Sequence, residues 1–166
     1  MTDLSRRVYM LGCCGVAALA GCSSYPPPDD RVEFRTIERF EIQNVGERHE
    51  LTIKIEVTRT GMTVKDITLL AYSMNGAEVA RQPVGTLDES RRDAIVTTEC
   101  TDFPAIITAD AARTVCDDLN LPILYLDTAS TTTEKSAWKQ TVRECGNSLP
   151  PDYILKRYRT ASPDGN

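Results

Sequence analysis

His49–Val57 reads HELTIKIEV, and its alternation is unbroken. Leu51, Ile53, Ile55 and Val57 fall on one side of an extended chain. Glu50, Thr52, Lys54 and Glu56 fall on the other, as a strand between core and water requires. Upstream, VEFRTIERFEI keeps Val32, Phe34, Phe40 and Ile42 in the same phase. Downstream, KDITLLAYSM runs into Asn75-Gly76 and then AEVA. Asn-Gly between two strand-like runs predicts a hairpin with a type I′ turn, which needs positive φ at both central residues. Gly61, in TRTGMTV, marks another reversal. DAIVTTEC places Ala94, Val96, Thr98 and Cys100 in phase, and FPAIITADA and LPILYLD are apolar enough to be central strands. SAWKQTV reads as a late strand or a short helix.

No stretch before Pro150 sustains a 3.6-residue period. Seven or eight short strands spaced about ten residues apart predict an all-β fold, an antiparallel sandwich of two sheets, with a closed barrel as the alternative. After the loop Ser148–Asp152, DYILKRYR predicts a short C-terminal helix, because proline favours a helix's first turn. The 166 residues form one domain, with body 31–166, and the 41% hydrophobic content is enough for one core. The net charge of −5 argues against nucleic acid, whose phosphates require a basic face. Arg outnumbers Lys; an acidic surface poor in lysine suits salty surroundings and equally a GC-rich genome.

The N-terminus has a different character. Arg6 and Arg7 precede 13 apolar residues, Val8–Ala20, which are too few to cross a bilayer and apolar on every side. They read as an export signal, residues 1–21. The paired arginines resemble a twin-arginine signal, although general secretory signals also carry two. Leu19-Ala20-Gly21-Cys22 resembles the lipobox of prokaryotic lipoproteins, which implies lipidation at Cys22 and a membrane partner through that lipid. The stretch 22–30, with Pro26, Pro27 and Pro28, then serves as a stiff spacer.

Three further cysteines follow. In an oxidising compartment cysteines tend to pair. Cys100 with Cys116 encloses the shortest loop, a bridge worth about 3 kcal/mol in the loop-closure model. Cys145 is then a free thiol or an interchain partner; Cys116 with Cys145 is the alternative. His49 with these thiols fits no metal-binding spacing, so no metal and no cofactor are expected. As the sole histidine, at a strand end, it reads as structural, and no G-x-S-x-G elbow accompanies it. Asp110, Asp117, Asp118 and Asp127 lack an EF-hand spacing and read as solvated acids. Glu99 and Asp102 form a possible carboxylate pair of a kind any acidic chain offers. Trp138 is a core anchor or part of a binding face. TASTTTEKS, Thr128–Ser136, reads as a polar loop, with a glycosylated patch as the alternative.

The leader SRRVYMLGCCGVAALAGC, together with TECTDFPAIITADAARTVCDD and RECGNSLPPDYIL, resembles the exported lipoproteins of halophilic archaea. The resemblance implies an immunoglobulin-like body anchored on the outer face of the cytoplasmic membrane, and it transfers no catalytic residue. A non-enzymatic module that binds an unknown protein or ligand at the cell surface is the expected function. A small extracytoplasmic hydrolase is the alternative, and accessory service to a transporter or electron-transfer chain is a third.

Overall fold

The computed structural model describes residues 31–35, 39–112 and 119–161. The export signal, Cys22, the spacer, Cys116, Asp117 and Asp118 lie outside them. Among the described residues are nine strands: β1 (Val32–Phe34), β2 (Phe40–Val45), β3 (Arg48–Val57), β4 (Val64–Tyr72), β5 (Glu78–Leu87), β6 (Asp93–Cys100), β7 (Ile106–Asp110), β8 (Asn120–Leu126) and β9 (Trp138–Glu144). A helix, α1 (Asp152–Ala161), follows. All strand pairs between these elements are antiparallel.

The chain is an all-β sandwich. One sheet is built on β3, with β6 along one edge and β1 and β2 sharing the other. The second sheet has the order β5-β4-β7-β8-β9. The chain changes sheet at β3–β4, β5–β6 and β6–β7, as in immunoglobulin-type domains, where the first, second and fifth strands face the third, sixth and seventh. β9 and α1 are additions to that plan.

VEFRTIERFEI is two strands and not one. Arg35 N–H donates to the Lys54 carbonyl, and Lys54 N–H donates to the Arg39 carbonyl, so one residue of β3 meets both ends of the interruption. Phe34 opposes Ile55 and Phe40 opposes Ile53. Six positions on one strand answer two on the other. The excess is even, so Val32, Phe34, Phe40 and Ile42 all remain on the core side, each buried.

The Asn75-Gly76 hairpin forms, but its turn is not type I′. Only Gly76 has positive φ (88°); Asn75 does not. Its side-chain Oδ1 instead accepts from Ala77 N–H at 2.9 Å, and Gly76 N–H donates to the Ser73 carbonyl. An Asn side chain that mimics a turn carbonyl removes the need for a second left-handed residue. Gly61 sits in the β3–β4 reversal with φ of 81°. SAWKQTV holds both predicted forms, a single 3₁₀ turn (Lys135–Ala137) and then β9.

The two sheets differ in their outer faces. On β3 the outer residues Glu50, Lys54 and Glu56 remain partly in water. The five-stranded sheet is apolar on both sides. Its inner face carries Leu69, Ala71, Ile107, Ala109 and Leu124 toward the first sheet. Its outer face carries Leu70, Tyr72, Ile106, Leu121 and Ile123, all buried. α1 covers this outer face with Ile154, Leu155 and Tyr158. The Tyr158 hydroxyl donates to the Leu126 carbonyl at 2.9 Å, and the Arg157 guanidinium lies 5.6 Å from the Tyr125 ring centre. Burial of the Tyr158 phenol is the main reason its pKa is raised.

This packing makes a direct prediction. Ile154→Ala, at a fully buried position of α1, is expected to cost about 2–5 kcal/mol in urea unfolding. Tyr153→Ala, on the exposed face, is expected to change stability by no more than about 0.5 kcal/mol. Equal effects would mean that the helix does not seal the sheet.

Candidate functional site

The site arises from a proline. In the β7–β8 ladder the paired residues are Ile106–Tyr125, Ile107–Leu124 and Thr108–Ile123, and Leu126 N–H donates to the Ala105 carbonyl. Hydrogen-bonded positions of an antiparallel pair alternate. The series through Ala105 and Ile107 next reaches Ala109, opposite Pro122. Pro122 has no N–H to give the Ala109 carbonyl, and the ladder stops there.

Side chains replace the missing backbone bonds. The Thr108 hydroxyl donates to the Pro122 carbonyl at 2.8 Å. Arg143, on β9, reaches over β8 and donates from Nη2 to the Ala109 carbonyl at 2.9 Å. The same Nη2 donates to Asp110 Oδ1 at 2.9 Å, Nη1 to the Glu144 carbonyl at 3.2 Å and Nε to Thr108 Oγ1 at 3.4 Å. The Arg143 side chain is 4% exposed, so this set of acceptors is what makes the burial of its charge tolerable.

A cleft of about 270 Å³ opens beside this network, lined by Leu70, Tyr72, Arg81, Asp110, Asn147 and Leu149 among others. Cross-strand pairing explains the assembly. Leu70 opposes both Arg81 and Thr108, Tyr72 opposes Glu78, and Thr68 opposes Asp110, and directly opposed residues share a face. The turn at Gly146, where φ is 89°, brings Asn147 to the rim. Arg81 is held by Glu78 through two bonds, Nε to Oε1 at 2.9 Å and Nη2 to Oε2 at 2.7 Å.

Hydrogen bonding from Arg81 holds the Glu78 carboxyl below its ordinary pKa, and the same bond raises that of Arg81. Burial, with Glu78 nearby, raises the Tyr72 phenol. These three groups keep one protonation state around neutral pH and do not shuttle protons there. The cleft presents fixed donors and acceptors. Tyr72 is only 6% exposed, yet its hydroxyl forms no hydrogen bond with a described residue. Every fully enclosed side-chain polar atom among the described residues does have a partner, so the Tyr72 hydroxyl owes its contact with solvent to the cleft.

The residues singled out from sequence lie elsewhere or act otherwise. His49 is on the first sheet, its Nδ1 2.8 Å from Asn44 Oδ1 and its ring edge-on to Phe103 at 5.4 Å. Trp138 is a core residue. Its ring meets Phe40 at 5.1 Å and its indole N–H donates to the Thr132 carbonyl, tethering the Thr128–Ser136 loop. Glu99 pairs with Arg48 at 2.8 Å, whereas Asp102 Oδ1 accepts from Phe103 N–H, so the two are not a working carboxylate pair. Asp110 and Asp127 hold different arginines, Arg143 and Arg157. Among the described residues no three His, Cys, Asp or Glu side chains gather as a metal site would require.

The expected Cys100–Cys116 bridge is overturned, because Cys100 is a free, buried thiol. Its inner-face position on β6, in phase with Ala94 and Val96, encloses it. Burial alone pushes the thiol up to about 11, so it carries no appreciable thiolate at neutral pH. Cys145, expected to be the free thiol, is the disulfide-bonded one. Tyr72, Arg81, Arg143 and Asn147 carried no sequence signal, and Asp110 was visible only as an acid. No protein-family model, curated protein or solved structure matches the chain.

Alkylation distinguishes the thiols. In denaturant without reductant, Cys100 is expected to take the label and Cys145 to resist it, while the native protein leaves both unlabelled. Label on Cys145 without reductant would contradict this assignment.

Proposed function

We propose that the chain is a lipid-anchored binding module on the extracytoplasmic face of a membrane, non-enzymatic, exported by its N-terminal signal and tethered through lipid on Cys22. The observation that carries the binding role is the cleft. Its arginines are neutralised by Glu78 and Asp110, its carboxylate–guanidinium pair and its phenol stay in one protonation state, and the Tyr72 hydroxyl faces it with no protein partner among the described residues. Such an arrangement recognises a ligand without moving protons to or from it.

The setting is supported by the sequence and by one thiol. Signal, Cys22 and proline-rich spacer follow one another directly before the first described strand residue, Val32. A disulfide at Cys145 suits an oxidising compartment. A single acyl chain holds a protein only marginally, so stable attachment requires two chains on Cys22. No helix among the described residues is long and apolar enough to cross a membrane.

The test is fractionation after Cys22→Ala. The wild type is expected in the membrane fraction and the variant in the soluble extracytoplasmic fraction, with unchanged unfolding behaviour. A variant that remains with the membrane would show that lipid on Cys22 is not what holds it.

A further inference from the structure

We infer that the cleft beside Tyr72 binds a neutral, hydroxyl-rich small molecule, a single sugar ring, through the Tyr72 hydroxyl, Arg81, Asp110 and Asn147. The inference rests on the reading of the chain as a binding module and specifies its ligand. It starts from the Tyr72 hydroxyl. The residue is 6% exposed and borders the cleft, and its hydroxyl, which forms no hydrogen bond with a described residue, reaches solvent there and can exchange that water for a ligand. A ligand that reaches Leu70 at the floor meets it.

The remaining groups define the ligand's chemistry. The Arg81 Nη1 donors have no partner among the described residues, because Glu78 engages only Nε and Nη2. Asp110 gives Oδ1 to Arg143 and keeps Oδ2 unengaged, with its side chain 44% exposed. Asn147 offers both an amide donor and an acceptor at the rim. Each charge already faces an opposite charge, Arg81 against Glu78 and Arg143 against Asp110. An anionic, cationic or zwitterionic ligand would therefore gain little net attraction, while its own charges would lose water. Alternating single donors and acceptors suit hydroxyls, each of which gives one hydrogen bond and receives others. A volume of about 270 Å³ lies below the range of about 300–1,000 Å³ typical of drug-sized ligands, which limits the occupant to one ring.

The test is a titration of the full chain followed through its backbone amide resonances. Glucose, mannose and galactose are the probes, with glycine and inorganic phosphate as charged counter-probes. At least one sugar is expected to shift the amides of Tyr72, Arg81, Asp110 and Asn147. Tyr72→Phe and the rim variant Asn147→Ala are each expected to weaken that sugar's binding about threefold to tenfold, the range of one lost hydrogen bond. Glycine or phosphate shifting these amides while no sugar does so would overturn the sugar inference and leave the binding module standing. Sugar binding unchanged in both variants would overturn the assignment to this cleft. If no probe shifts the amides, the inference fails, while the Cys22→Ala fractionation still decides the anchor separately.

Discussion

Pro122 cannot donate a hydrogen bond, and much of this structure is arranged around that. A proline on an edge strand costs a sheet little, but here it sits in β8, between β7 and β9. Its missing N–H would strand the Ala109 carbonyl inside the sheet's outer layer, where no water compensates. The guanidinium of Arg143 fills that vacancy, and the Thr108 hydroxyl takes the Pro122 carbonyl. The consequence is local and useful. Where the ladder stops, β7 is held by side chains, Asp110 is fixed by Arg143, and the surface beside it opens as a cleft and not a continuous pleat.

The double burial of the five-stranded sheet gives the rest of the architecture. Sandwich sheets usually leave their outer faces in water, as the first sheet does with Glu50, Lys54 and Glu56. The second sheet instead carries Leu70, Ile106, Leu121 and Ile123 outward and needs a cover. α1 supplies it over the β7–β8 end, with Tyr158 bonded to the Leu126 carbonyl. Leu155 reaches the β4–β5 turn at Gly76, but no α1 residue lines the cleft that Tyr72 borders.

How much of this could be read from the sequence depended on which face each residue met. β3 and β6 alternate because one face is wet, so their residues were legible singly. The runs that became β4, β7 and β8 were recognisable as strands, but a strand apolar on both faces does not say which side is which. The break between β1 and β2 left no mark because an even excess preserves the phase. The helix announced itself through Pro150, Pro151 and Asp152. The cleft was invisible. Its residues come from β4, β5, β7 and the loop after β9, which only long-range pairing brings together. Arg143, in WKQTVREC, reads as a surface charge, yet its burial is set by Pro122, 21 positions earlier. The cysteines misled for a related reason: proximity in sequence favoured Cys100, whereas its inward parity buried it as a lone thiol.

A double-mutant cycle between Arg143 and Pro122, followed by urea unfolding, tests the central claim most directly. Arg143→Ala alone is expected to cost about 3 kcal/mol, as removal of one partner from a buried ionic network does. Pro122→Ala restores an N–H facing the Ala109 carbonyl, so in that background the same substitution is expected to cost less, with a coupling of about 0.5–3 kcal/mol. An Arg143→Ala cost that is the same with and without Pro122 would contradict the account.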